Sequence, residues 1–259
     1  MPFLELDSQY RLHYQIIDGR SDRPWLLFLH EGLGSVDQWQ DFPDQLCERT
    51  GCPGLLYDRL GYGQSSPLQR SRTIHYLHAY ALQELPRVIE ALIPGQPFLL
   101  IGHSDGGSIS LIFGAERPSL LKGMITLSAH VFVEQVSLDG IQQAREAFTQ
   151  GKLTSGLARY HGDKSETMFQ AWAETWTSPW FRSWNIEYLL PAIEAPLLVL
   201  QGRDDQYGTR AQVDAIVDQS GGPATPLLLE GCAHAPHLEF PELALDLMSC
   251  FVNRVQTIG

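Results

Sequence analysis

A chain of 259 residues, 44% hydrophobic and 19% charged, has the length and composition of a globular protein able to bury a sizeable core, which excludes disordered and fibrous classes. Its formal net charge of −12 opposes phosphate backbones and anionic headgroups, and no basic run reverses that sign locally, so nucleic acid is excluded as a partner and a small molecule is expected. The N-terminal Met1-Pro2-Phe3-Leu4-Glu5-Leu6-Asp7 carries acids where a secretory leader is basic, and the apolar runs fall far short of the roughly 20 residues that cross a bilayer. A cytoplasmic protein with no membrane partner is expected. Cys47, Cys52, Cys232 and Cys250 are scattered through a chain that needs no disulfide framework, and they read as free thiols, a Cys47–Cys52 bridge being the alternative.

In chain order, strand-like segments at 3–6 and 11–17 flank Asp7-Ser8-Gln9, a turn-rich joint that predicts an N-terminal hairpin. Apolar strands then alternate with helical stretches: strand 25–30, helix 36–49, strand 54–58, helix 73–91, strand 97–102, helix 105–116 and strand 123–128. The alternation resumes with strand 196–202, helix 209–218, strand 226–230 and helix 241–255. Such a pattern predicts a parallel sheet joined by right-handed crossovers.

Between His130 and Pro191 the alternation stops, and a helical, aromatic stretch holds Phe132, Phe148, Tyr160, Phe169, Trp172, Trp176, Trp180, Phe181 and Trp184. With no repeat, low-complexity tract or polar linker, it is expected to be a helical lid, about 131–190, inserted into a single domain 1–259. Most of its rings should pack the insertion down, and a few, with Trp172 and Trp176 chosen, should line a pocket.

The sharpest motif is Gly102-His103-Ser104-Asp105-Gly106-Gly107, directly after the strand Phe98-Leu99-Leu100-Ile101 and directly before a helical stretch. A serine on a tight strand-to-helix turn needs small residues two positions away on either side, and Gly102 and Gly106 supply them. The helix start behind it offers backbone donors and a positive dipole end to a developing oxyanion.

These residues resemble the α/β-hydrolase superfamily, and the resemblance runs along nearly the whole chain. Leu29-His30-Glu31-Gly32-Leu33-Gly34-Ser35 is similar to the loop that gives the family its second oxyanion donor, and Asp58-Arg59-Leu60-Gly61-Tyr62-Gly63-Gln64-Ser65 to its structural D-x-x-G-x-G-x-S stretch. The resemblance implies an α/β-hydrolase fold: a mostly parallel sheet of about eight strands flanked by helices. One departure stands out. The family usually has glycine after the loop histidine, where this chain has Glu31, and this leaves Gly32 or Leu33 as the donor, with Gly32 preferred.

A serine hydroxyl needs a base, and the base a partner that fixes its tautomer. The strand 197–200 leads into Gly202-Arg203-Asp204-Asp205, where Asp205 matches the family's G-x-x-D spacing and Asp204 is the alternative. Gly231-Cys232-Ala233-His234 resembles the family's G-x-x-H loop, making His234 the base, with His237 a candidate substrate contact. His30, His103 and His130 read as structural histidines.

No metal is expected: Gly34 stands where a zinc-protease motif begun at His30-Glu31 would need its second histidine, and His75 and His78 read as helix surface. No cofactor is expected either, since no glycine-rich phosphate loop is present.

The resemblance implies acyl transfer from an ester-like carbonyl to water through Ser104, His234 and Asp205, with the amides of Gly32 and Asp105 as the oxyanion hole. Esters, thioesters and activated amides are all open. So are carbon–carbon hydrolysis of ring-cleavage products and a ligand receptor on a hydrolase fold. Asp105 either opens its helix or binds a substrate cation, the latter because the elbow resembles the valacyclovir-hydrolase branch, which holds an amino group with an acid there.

Overall fold

The computed structural model describes residues 2–6, 10–69 and 71–258. The segments expected as strands pair into one eight-stranded sheet of order β1-β2-β4-β3-β5-β6-β7-β8. β1 (Phe3–Glu5) and β2 (Arg11–Ile17) form the antiparallel hairpin, and β2 also runs antiparallel to β4 (Gly54–Tyr57). The expected turn at Asp7-Ser8-Gln9 lies outside the described residues. β3 (Trp25–Leu29), β4, β5 (Phe98–His103), β6 (Leu121–Leu127), β7 (Leu197–Gly202) and β8 (Ala224–Leu229) are parallel to one another.

The central strands read as unbroken apolar runs because helices cover both faces of the sheet. Side chains on a strand alternate between faces, so Leu27, Leu29, Phe98 and Leu100 enter one buried cluster while Leu26, Phe28, Leu99 and Ile101 enter the other.

The helices depart from expectation in detail. The stretch expected as one helix at 36–49 is a short 3₁₀ turn, Val36–Trp39, followed by α1 (Phe42–Thr50), because Gln40 adopts φ 55° and breaks the helical run. The helix expected at 73–91 starts at α2 (Tyr76–Ala79), passes through a π-wound turn Tyr80–Glu84 and continues as α3 (Leu85–Leu92). Pro86 has no N–H to give the preceding turn, which fits the looser winding there. α4 (Asp105–Gly114) follows β5.

Between β6 and β7 lie α5 (Gln135–Thr149), α6 (Thr154–His161) and α7 (Ser165–Thr177). Their two ends meet in a bridge between Phe132 and Asn185, beside the bond from Ile186 N–H to Val131 O at 2.8 Å. The rings divide as a cluster: Phe148 stacks on Phe169 at 4.0 Å, and Phe181 on Trp184 at 5.4 Å, while Trp180 is exposed. α8 (Arg210–Gln219), capped by the Thr209 hydroxyl, follows β7, and α9 (Pro236–Glu239) and α10 (Pro241–Ile258) follow β8. The four cysteines are free thiols. Among the described residues no helix is long and apolar enough to cross a membrane.

Candidate active site

Parallel strands end on the same edge, so the loops after β3, β5, β7 and β8 converge on one side of the sheet, where open α/β sheets place their ligands. A cavity of about 400 Å³ opens there, with Ser104, Asp105, His234 and Glu31 in its wall.

Ser104 sits at φ 52°, ψ −115°, in the left-handed region that costs a non-glycine residue. Its neighbours show why the turn demands glycine. A Cβ on Gly102 would lie 2.2 Å from Gly106 O, and one on Gly106 would lie 2.0 Å from Leu29 O. The bend therefore holds only with both glycines present, and it sets the hydroxyl at the start of α4. The Asp105 N–H at that start has no intrahelical acceptor and no partner among the described residues.

His234 Nδ1 lies 2.8 Å from Asp205 Oδ1, which also accepts the Tyr207 N–H at 2.9 Å. A carboxylate can only accept, so Nδ1 carries the proton and Nε2 is left as a free acceptor, with no partner among the described residues. Burial works to raise the Asp205 carboxyl, but the hydrogen bonds from His234 and Tyr207 and the neighbouring histidines together hold the group below the ordinary aspartate value. The other candidate acid, Asp204, is exposed on the turn, its N–H bonded to Cys232 O. The structure thus brings Asp205, not Asp204, to His234.

The loop after β3 also separates its two candidate donors. Leu33 N–H is spent on Glu31 Oε2 at 2.7 Å and Gly34 N–H on Glu31 O at 3.1 Å, whereas Gly32 N–H has no partner among the described residues. Gly32 is fixed as glycine by Trp172, whose Nε1 would lie 2.5 Å from a Cβ there. Trp172 and Trp176, one helical turn apart on α7, both line the cavity. His237 is in the wall too, yet its ring is buried against Trp39 at 4.6 Å and His103 at 4.8 Å, and burial followed by His234 pushes its pKa down to about 3. What the structure shows of His237 is packing.

The remaining histidines do structural work. His30 Nε2 accepts the Arg59 N–H at 3.1 Å while its Nδ1 donates to Glu31 O at 2.8 Å. His103 donates to His234 O at 2.9 Å, which steadies the loop that carries His234. His130 meets Tyr207 O at 3.0 Å. The D-x-x-G-x-G-x-S stretch is a scaffold as well: Asp58 accepts Val36 N–H at 2.7 Å and Gln64 N–H at 2.8 Å, and Gly63 leaves no room for a Cβ beside it.

The family model described as the alpha/beta hydrolase family matches residues 26–247. The chain belongs to that family. The chain is 32% identical over 130 residues to a proline iminopeptidase of Lactiplantibacillus plantarum, a match covering 49% of this chain and 43% of that protein. It thus spans less than half the length of that relative. It is 24% identical over 246 residues to the monoglyceride lipase of Rattus norvegicus, covering 86% of this chain and 79% of the relative. A solved carboxylesterase structure from the thaumarchaeon Nitrososphaera gargenis shares the fold with a TM-score of 0.77 at 20% identity, all of both chains being covered.

Several contacts of the site had no motif in the sequence. Tyr76 donates to Asp105 Oδ2 at 2.9 Å and accepts the Trp176 indole N–H at 2.9 Å, so a helix after β4 and one from the segment before β7 hold the same carboxylate. Glu239 accepts the N–H groups of Ala233 at 2.7 Å and Ala235 at 2.9 Å, clamping the residues on either side of His234. An acid five positions past the histidine was the available signal, and it looks like an ordinary helix residue.

Proposed function

We propose that this hydrolase cleaves a small-molecule carboxylic ester or activated amide through an acyl-enzyme on Ser104. The observation that carries the reading is His234, bonded to Asp205, in the wall of the cavity that also holds the strained Ser104. His234 Nε2, free to accept, takes the Ser104 proton as the hydroxyl oxygen attacks the carbonyl, and Asp205 stabilises the imidazolium that forms. The tetrahedral oxyanion is held by the Asp105 N–H and the Gly32 N–H, neither of which has another partner among the described residues. His234 returns the proton to the departing alcohol or amine, and the same steps with water release the acid. The helical segment between β6 and β7 acts as a lid within the one domain, contributing Trp172 and Trp176 to the substrate wall. Cytoplasmic residence belongs to the same reading and is supported by the four free thiols.

The test is covalent labelling with a fluorophosphonate together with turnover of a panel of esters and amides. Ser104→Ala should lose the label and on the order of a million-fold in kcat with little change in thermal stability. Labelling at another serine, or a variant keeping more than a few per cent of kcat, would overturn the assignment.

A further inference from the structure

Asp205 stands on irregular backbone between β7 and α8, so neither a strand nor a helix sets its aim. Its Oδ1 takes both of the bonds it makes among the described residues, from His234 Nδ1 at 2.8 Å and Tyr207 N–H at 2.9 Å, while Oδ2 is sealed from solvent without a partner. A shift of the Tyr207 backbone therefore turns the carboxylate away from the base. The Tyr207 ring flanks that base as well, edge-on to His234 at 4.8 Å.

The backbone at Tyr207 is held by α5, 70 residues earlier in the chain. The Ser137 hydroxyl, buried on the first turn of α5, donates to Tyr207 O at 2.5 Å, and His130 Nε2 donates to the same oxygen at 3.0 Å. Gly140 lies three residues on, on the same face of the helix. A Cβ there would meet Gln206 O at 2.6 Å and the Tyr207 ring at 2.9 Å, so α5 rests directly on the two residues after Asp205. Glu134, just before α5, accepts the Thr209 N–H at 2.9 Å and the Thr209 hydroxyl at 2.6 Å, which fastens the far end of the same turn. β7 adds one support of its own, Gln201 Nε2 to Gly208 O at 2.7 Å, a residue past the bonds at Tyr207. Unlike the rings of α7, α5 grips its neighbour by close backbone approach and hydrogen bonds.

We propose, resting on the acyl-transfer reading, that Ser137 and Gly140 are positioning residues for the catalytic acid: through the backbone of Gln206 and Tyr207 they aim Asp205 at His234. The first helix between β6 and β7 then belongs to the reaction's machinery, and it cannot swing off the site without releasing the acid. A displacement of about 1 Å at a reacting group can cost on the order of a hundredfold in rate, so a methyl group placed between α5 and the turn should act on the chemical step. Substrate binding should be spared, because the Ser137 hydroxyl is already spent on Tyr207 O and Gly140 is not part of the cavity wall.

The experiment sets Gly140→Ala beside Gly156→Ala, a glycine of α6 whose added methyl meets nothing within 4 Å. Both changes put a better helix former into a helix, so only the contact with Gln206 and Tyr207 separates them. Gly140→Ala should lower kcat by about ten- to a hundredfold with KM within about twofold, the pattern of a loss confined to the transition state. The proton NMR resonance of His234 Nδ1–H, deshielded by its bond to Asp205, should move upfield in the same variant. Ser137→Ala brings no clash and removes one hydrogen bond; it should lose about three- to tenfold in kcat and move the resonance the same way. Gly156→Ala should change neither reading. Wild-type kcat and resonance in both Gly140→Ala and Ser137→Ala, whatever their melting temperatures, would overturn the proposal and leave α5 a packing helix. A rise in KM alone would overturn it too, by making α5 a substrate wall, as would an equal loss of kcat in Gly156→Ala. A wild type that turns over no ester or amide and takes no fluorophosphonate label would instead sink the acyl-transfer reading, and the resonance would still decide whether α5 holds Asp205 against His234.

Discussion

The strand-end loops and the helical segment between β6 and β7 build different walls of one cavity by different means. In the loops, backbone geometry decides: Gly102 and Gly106 are required by contacts of 2.2 and 2.0 Å, and Asp205 and His234 are set by bonds to or from main-chain groups. In the helical segment, side-chain packing decides: Trp172, Trp176, Phe181 and Trp184 take their places by ring contact with one another and with the loops. Backbone-determined positions tolerate no substitution but leave a short pattern of residues. Packed rings can be traded for other rings and leave only a composition.

The comparison is broken most severely at the acid. Asp205→Asn presents an amide where His234 Nδ1–H needs an acceptor, and it should lower kcat by about four orders of magnitude. Asp204→Asn, one residue away on the exposed turn, should change it less than twofold. Steady-state kinetics on the pair decides; a larger loss at Asp204 would mean that the Asp205–His234 bond is not the one the reaction uses.

The rings sharpen the comparison at the next level. Phe181 is fully buried between Trp176 and Trp184, so Phe181→Ala should destabilise by about 3–5 kcal/mol in urea unfolding. Trp172 borders the cavity, where water can replace part of the lost ring, and Trp172→Ala should cost less than half as much while changing KM with acyl size. Equal destabilisation would show that Trp172 is a packing residue like the others.

That division explains what was legible in the sequence. The eight strands and the elbow could be read because each rests on local rules, alternation of apolar segments and glycine where no Cβ fits, whereas Gly32, Asp205 and His234 were singled out only by the resemblance of their loops to the family's. The break at Gln40 and the π-wound turn before Pro86 were not legible, because tertiary packing overrides helix periodicity there. Tyr76 and Glu239 were hidden for another reason. Tyr76 serves the site through two hydrogen bonds made across the fold, and Glu239 through two to the N–H groups on either side of His234, and the residue type of neither marks that role.

The smallest expected effect joins the two regions through His161 at the end of α6. Its Nδ1 accepts the Gly63 N–H at 2.9 Å, so its proton must sit on Nε2, which donates to Leu33 O at 2.9 Å. Only the neutral ring makes both bonds; protonation would set a second N–H against that of Gly63. Burial lowers the His161 pKa and Lys164 pushes the same way, against the Leu33 bond and Asp58, which raise it. A histidine whose folded pKa lies below the unfolded value of about 6.5 takes up fewer protons folded than unfolded in the window between the two. Its stabilisation is therefore fully present above pH 6.5 and declines as the pH falls through that window, by up to about 1.4 kcal/mol per pH unit for this one proton. His161→Gln can keep an acceptor and a donor but cannot titrate, so its unfolding free energy should fall less steeply than the wild type's between pH 6.5 and 5. His161→Phe, which leaves the Gly63 N–H and Leu33 O unpaired, should lose about 1–3 kcal/mol already at pH 7.5. Parallel pH profiles for wild type and His161→Gln would show that the tie between helical segment and loop does not depend on the protonation of this ring.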